Sequence, residues 1–371
     1  MKQHQVGAIQ AHPFSCGPPY TSHLPITAAC PVRNSTIDLL KALASQIIVV
    51  HHLLLYTPMS PVLQAKWPGL LGFIADEGRY VVQIFLVIGG FLAAQSMLGM
   101  LGKARDVAIW PLFKRRFLRL AKPFWVAIAV AVVLSWLGGR IAMHSEISDM
   151  PGFTQLLAHV FLLHDIVEVE ALSAGVWYVA IDLQLYAVLV LMAWVSQKTG
   201  RLKLIEPQQG LLLLAITMTI ASLLVWNRNA EHDEWAWYFF GAYGLGVAAH
   251  WAQREGKVVW FSLLIAGLLG IALWIEWRER LLLTGVTALL LMNSARIESL
   301  VSVIVQGPVR WLGDISYSVF LIHYGIAVFA SSVVIALGLS SFADMLIAFL
   351  LTWVVSVAAG WVLYWGVEKN G

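Results

Sequence analysis

The sequence predicts an all-α polytopic membrane protein of about ten transmembrane helices, and three observations predict it. Hydrophobic residues make up 59% of the 371-residue chain and charged residues only 12%, where soluble domains carry about 25% charged residues. The apolar residues fall in runs of helical length, and Lys and Arg concentrate in alternate loops between those runs. A net charge of +3 and a pI near 8.8 do not mark a nucleic-acid binder, because the basic residues are spread over short loops rather than gathered on one face. The two cysteines, Cys16 and Cys30, cannot build a disulfide framework or a four-cysteine zinc site.

Residues 1–35 are rich in His, Pro, Ser and Thr and lack the apolar stretch of a secretory signal. They read as a poorly ordered cytoplasmic tail, and the irregular spacing of His4, His12, Cys16, His23 and Cys30 matches no compact metal-ligand pattern. Residues 36–371 form one membrane domain. Its apolar runs begin at Ile37, Tyr80, Pro123, Val176, Gly210, Trp235, Val258, Leu281, Ser316 and Phe342; the run from Leu281 is short, and a shorter one from Leu156 to Leu163 is expected to be interfacial or re-entrant.

The loop after the second run holds Lys103, Arg105, Lys114, Arg115, Arg116, Arg119 and Lys122, and the loop after the fourth holds Lys198, Arg201 and Lys203. By the positive-inside rule both are cytoplasmic. The loop after the third run carries Glu146, Asp149, Asp165, Glu168 and Glu170 against Arg140, and faces outward. An even number of spans then places both termini in the cytoplasm.

Ionisable groups inside such runs are functional candidates, since a charge at the bilayer centre costs about 2.5–3.5 kcal/mol. Lys41 and His52 lie eleven residues apart in the first run. At 100° per residue they share a face within about 20°, separated by about 16 Å along the axis, with His51 turned about 100° away. A snorkelling lysine with two headgroup-level histidines is the plain alternative. The fourth run carries Asp182 and Gln184, with Tyr186 one turn beyond Asp182. His323 and His250 read more readily as core or interfacial histidines, and Asp344 as an ordinary helix cap. Arg116 and Arg119 share a helical face at the cytoplasmic surface, where they suit either anionic lipid or a phosphorylated ligand.

Five segments in order, from Ile37 to Lys369, resemble the membrane acyltransferases that O-acylate cell-envelope carbohydrates, acyltransferase family three. The family's D-x-L-R-A-I-A followed by a His is similar to Asp38, Leu40, Lys41, Ala42, Leu43, Ala44 and His52, with lysine for the usual arginine. VQIFLVIGGF resembles V-D-L-F-F-V-L-S-G-F, with Gln83 and Gly89 departing from it and Gly90 and Phe91 retained. RRFLRLAKPFW resembles the R-x-x-R segment, with Pro123 opening the next helix. Trp177, Asp182, Gln184 and Tyr186 match W-S-L-S-V-E-E-Q-F-Y, with Asp for the first Glu and Leu183 for the second. LGDISYSVFLIH matches L-G-x-I-S-Y-S-x-Y-L-x-H, and VEKNG a terminal V-E-K-P in which Asn370 replaces proline.

The resemblance implies transfer of an acetyl group from cytoplasmic acetyl-coenzyme A, or a related acyl-coenzyme A, to a hydroxyl of an envelope polysaccharide or glycolipid. It also implies a bacterial inner-membrane setting, with membrane lipid and envelope-polymer biosynthesis proteins as partners. His52 suits the base for the hydroxyl and Asp182 the group that fixes its tautomer. Arg116 and Arg119 fit the donor phosphates, Lys41 the pantetheine path, and Trp177 and Tyr186 are substrate-binding candidates; no metal is required. A transporter or channel competes, because intramembrane Lys, His and Asp also mark ion paths. A noncatalytic assembly partner need not retain His52.

Overall fold

The computed structural model describes residues 33–103 and 105–369. All but the last residues of the expected tail, including its histidines and cysteines, and Asn370, lie outside that description. In the described residues the regular structure is all helical: α1 (Ser35–Tyr56), α2 (Ser60–Lys66), α3 (Pro68–Glu77), α4 (Val82–Gly102), α5 (Ile109–Ile141), α6 (Phe153–Val160), α7 (Trp177–Arg201), α8 (Pro207–Leu224), α9 (Ala236–Arg254), α10 (Val258–Ile275), α11 (Glu279–Met292), α12 (Ser294–Ile304), α13 (Gly307–Ala336) and α14 (Phe342–Leu363). Every one of the ten apolar runs is helical. Among the described residues, eight spans are long and apolar enough to cross a membrane, and the α11–α12 pair, bent by 95°, makes up to nine. The protein is an integral membrane protein.

The count differs from ten for physical reasons. The 19-residue α9 mixes Trp, Tyr, Gly, His250 and Arg254 into its sequence and buries most of its length in the protein, so it gives up apolarity that a lipid-facing helix needs. The short Leu281 run stays short as α11, then turns sharply into α12. The expected break before Pro123 does not occur: α5 runs unbroken for 33 residues with Pro123 inside it, about 50 Å at 1.5 Å per residue. Prolines are tolerated in membrane helices, where neighbours can satisfy the freed carbonyl. The basic segment is therefore the first half of a spanning helix rather than a loop. Nor is Asp344 the cap of α14; Ser341 is, its hydroxyl accepting from the Asp344 N–H at 3.1 Å. The Leu156 run forms only the eight-residue α6, about 12 Å long and too short to cross.

Two buried apolar clusters hold the bundle, one centred on α4, α7, α9 and α11 and the other on α1, α13 and α14. Where α4 meets α9, backbones touch: a Cβ on Gly90 would land on the Tyr243 carbonyl and one on Gly246 on that of Val87. Small residues at such crossings permit close packing where lipid gives no hydrophobic drive. Three of the helices that build the site, α1, α5 and α13, run in one direction, and α7 runs against them, Gln197 reaching back to the Arg105 carbonyl where Asp182 meets Arg116. Gly313 of α13 lies against Asp38 of α1, and His323 against His52 ten and fourteen residues later respectively. Tyr317 donates to the Leu120 carbonyl of α5 at 2.9 Å, and Gly325 packs on Ala131. Lys41 and the basic half of α5 consequently share one end of the bundle, and Tyr56 and the acidic loop after α5 the other.

In that loop the rings of His159 and His164 stack at 4.5 Å. His164 is fully buried and neither ring nitrogen makes a hydrogen bond, although Asp165 Oδ2 lies 3.5 Å from Nε2. Burial, with His159 alongside, lowers the His164 pKa to about 4. Burial and the neighbouring Glu234 and Asp233 carboxylates raise that of Asp165 to about 6.

Candidate active site

Two polar pairs sit among α1, α5, α7 and α13. The first is ionic. Arg116 of α5 donates from Nη2 to Asp182 Oδ2 of α7 at 2.6 Å, with a quarter of the arginine side chain exposed and the carboxylate buried. The Tyr186 ring, one turn along α7, lies under the same guanidinium at 5.4 Å. Asp182 therefore has a counter-charge, and it is Arg116 rather than His52.

The second pair consists of two histidines. His52 Nδ1 and His323 Nε2 are 2.7 Å apart, the rings nearly parallel with centroids at 5.0 Å, both residues buried. His323 Nδ1 lies 3.2 Å from the Val319 carbonyl, one turn back in α13. A carbonyl only accepts, so His323 carries its proton on Nδ1 and offers Nε2 as a lone pair. His52 must then donate from Nδ1, which leaves its own lone pair on Nε2. The tautomer of His52 is set by His323 and, through it, by a backbone carbonyl, while Asp182, expected to fix it, pairs with Arg116 instead. Sequence reasoning passed His323 over because a lone histidine on an apolar face has no visible partner. His51 turns away, its Nδ1 3.0 Å from the Ile74 carbonyl of α3.

Between the basic end and the histidines lies a cavity of about 150 Å³ lined by Lys41, Arg116, Arg119, Asp182, Tyr317 and Glu368, among others. A Cβ at Gly89, where the family pattern has serine, would stand 3.3 Å from Asp182 Oδ1, so the glycine leaves that space open. Glu368, from the segment after α14, accepts from Ser318 Oγ at 2.6 Å and has Lys41 and Arg119 as electrostatic neighbours. Only its place in the terminal V-E-K segment hinted at it. Aromatic side chains close the cavity toward the histidines: Phe320 and Tyr178 both line it, their rings edge to face at 5.7 Å, and Phe320 lies 6.2 Å from His323. Gly175, at φ +77°, is tucked behind this wall, where a Cβ would stand 3.0 Å from Phe320 and 3.3 Å from the His52 ring.

Of the candidates, Lys41, Arg116, Arg119 and Asp182 line one cavity, Tyr186 borders it through Arg116, and His52 stands beyond its aromatic wall. Trp177 is elsewhere, stacked on Phe239 at 5.4 Å. Gln184 caps α9, accepting from Ala236 N–H and donating to the Glu234 carbonyl, each at 3.0 Å. A larger groove of about 400 Å³ between α13 and α14 is walled by side chains such as Phe329, Val333, Ile347 and Leu351, with Asp344 and Thr352 its polar members, and is remote from both pairs. Among the described residues no cluster of three or more His, Cys, Asp or Glu is arranged to hold a metal ion.

Residues 34–365 match the family described as an acyltransferase domain, the third of the acyltransferase families. Over 333 residues, covering 78% of this chain and 49% of that protein, the chain is 25% identical to the peptidoglycan O-acetyltransferase OatA of Listeria monocytogenes serovar 1/2a (strain ATCC BAA-679 / EGD-e). Over 161 residues, 42% of this chain and 30% of that protein, it is 29% identical to the regulator of hypoxia-inducible factor 1 of Caenorhabditis elegans. The matches span half or less of the length of these relatives. No solved structure matches the chain.

Proposed function

The chain belongs to acyltransferase family three, and from that premise we propose that it is a membrane O-acyltransferase that moves an acetyl group from acetyl-coenzyme A to a hydroxyl of an envelope polysaccharide or glycolipid. The observation that carries the reading is the His52–His323 pair, which directs the lone pair of a buried imidazole outward from a hydrogen bond that fixes its tautomer. The acceptor hydroxyl gives its proton to His52 Nε2 as its oxygen bonds to the thioester carbonyl carbon. The C–S bond breaks, and the proton passes from His52 to the departing thiolate. His323 acts as a positioning residue.

The basic end of the bundle receives the donor. A cavity of about 150 Å³ is smaller than the roughly 300–1,000 Å³ of complete ligand pockets, so it takes the acyl-thioester arm while the coenzyme phosphates stay at its mouth near Arg119. The excess of Lys and Arg at this end favours the cytoplasmic side, with both chain ends there and the protein in a bacterial inner membrane. OatA's printed activity on peptidoglycan supports a carbohydrate acceptor.

The test is transfer of label from acetyl-coenzyme A in reconstituted vesicles. His52→Ala should lower turnover by about 10²–10⁴-fold, the contribution of a positioned base, with membrane insertion intact, while His51→Ala costs far less. Arg119→Ala should raise the donor concentration needed by about tenfold, with lysine restoring only part. Equal losses for the two histidine variants would overturn the assignment of His52.

A further inference from the structure

Where α4, α8 and α9 meet at the basic end of the bundle lies another polar cavity, about 310 Å³ in volume. Gln95, Gly99, Lys103, Gln208, His250 and Arg254 line it, with no carboxylate among the described lining residues, and it shares none of them with the donor cavity. Gln95 and Gly99 lie one turn apart on α4 with Lys103 a turn beyond, and His250 and Arg254 lie one turn apart on α9, so both helices present a polar face to it. Gln208 ties the faces together: its Nε2 donates to the Leu98 carbonyl at 2.9 Å, and its Oε1 accepts from Arg254 Nη2 at 3.1 Å. A Cβ at Gly102 would run into that amide, whereas one at Gly99 would meet nothing within 4 Å. The His250 ring is held edge to face by Phe91 at 5.0 Å, and its Nδ1 is buried without a hydrogen bond.

From this juxtaposition we infer that the pocket binds an anionic phosphate group, carried by a membrane lipid or free in solution. The inference stands apart from the acyltransferase reading. Lys103 and Arg254 supply positive charge and N–H donors, and a guanidinium matches the geometry of phosphate oxygens. A proton on His250 Nδ1 gives the phosphate a further donor. Glu255 lies 3.7 Å from Arg254 Nε, but both side chains are exposed, so solvent weakens that contact. Cations at helix C-termini complement the helix dipole, which accounts for Lys103 and Arg254 alone. It does not account for the exposed amide of Gln95 within the apolar α4, nor for a buried imidazole nitrogen without a partner, a costly arrangement until a ligand meets it. Gln95 lies about 12 Å deeper than Lys103 along α4, enough for a headgroup phosphate at the mouth with its glycerol esters below. Basic pockets between membrane helices on the cytoplasmic side are suited to such headgroups, and the volume is near the lower end of complete ligand pockets, roughly 300–1,000 Å³.

The experiment titrates the full chain in detergent with phosphatidylglycerol, with phosphatidylcholine and with inorganic phosphate, reading lipid retention by native mass spectrometry and phosphate binding by calorimetry. Wild type should hold phosphatidylglycerol at least about tenfold more tightly than phosphatidylcholine, which identifies a lipid headgroup, or bind inorganic phosphate at millimolar concentration, which identifies the free ion. Lys103→Ala and His250→Phe should each weaken that binding about tenfold, and added salt should weaken it in wild type. Lys103 is exposed, so Lys103→Ala should unfold near the wild-type temperature in the absence of ligand. Absence of both the phosphatidylglycerol preference and phosphate binding overturns the site, and so does binding that either variant leaves unchanged. An equal fall in the affinity of both variants for labelled acetyl-coenzyme A would give the pocket to the donor and overturn it as a separate site.

Discussion

Arg116–Asp182 and His52–His323 are both short contacts between helices distant in the chain, yet they are opposite solutions to holding polar groups within a membrane bundle. The ionic pair balances its charge: each member supplies the charge the other needs, and a ring from Tyr186 covers the guanidinium, although Arg116 Nε is buried without a hydrogen bond. Its orientation carries no information beyond proximity. The histidine pair is directional. A proton order runs from the Val319 carbonyl through His323 to His52, and it ends in an unused lone pair. Pairing of charges fastens α5 to α7; ordering of protons fixes which nitrogen of His52 keeps its lone pair.

The comparison is broken most severely by uncoupling the ion pair. Arg116→Ala strands a buried carboxylate, and the loss of stability should be on the order of 3–5 kcal/mol, whereas Arg116→Met with Asp182→Leu should restore most of it. Thermal unfolding in detergent measures both, and an Arg116→Ala protein as stable as wild type would show that Asp182 needs no partner. The histidine pair should respond in turnover instead. His323→Phe removes the acceptor for His52 Nδ1–H, frees the tautomer, and should lower turnover about 10–100-fold with thermal stability and donor KM near wild type. A fall in donor affinity of the same size would place His323 in binding rather than positioning.

His164 sharpens the contrast as a buried histidine whose ring makes no hydrogen bond at all. Its pKa falls from an ordinary 6.5 to about 4 in the fold, so between these values the unfolded chain binds the extra proton and stability is lost as pH falls. At pH 5 the loss is about 2 kcal/mol. Asp165, raised to about 6, contributes in the opposite sense, favouring the fold below that value and losing that contribution as pH rises. Comparison of His164→Phe with wild type isolates the histidine: the variant should gain stability at pH 5 relative to pH 8, and an equal gain at both values would mean that His164 is not the titrating group.

The helices were legible in the sequence because apolar length is a strong signal and lipid leaves few alternatives to a helix. Helical geometry predicted a shared face for Lys41 and His52; Lys41 lines the cavity, and His52 pairs with His323 beyond it. The partner of each buried group was not legible. Asp182 announced that it needed a counter-charge, but Arg116 appeared to lie in a surface loop until Pro123 proved to sit inside α5. His323 carried a faint signal, the regular S-Y-S-x-x-x-x-H segment, whose meaning depends on parallel packing of α1 and α13 that no local pattern encodes. Trp177 matched a motif position yet packs on Phe239, since spacing fixes a residue's face on its own helix and not what the face meets.

The aromatic wall of Phe320 and Tyr178 has an electrical consequence. It closes the cavity that Lys41, Arg116 and Arg119 line, and with a continuous file of water past it the bundle would conduct. Stripping an ion of its hydration at an apolar constriction is costly. A septum two rings thick can therefore block the current, so that the membrane keeps its voltage although a charged cavity opens within the bundle.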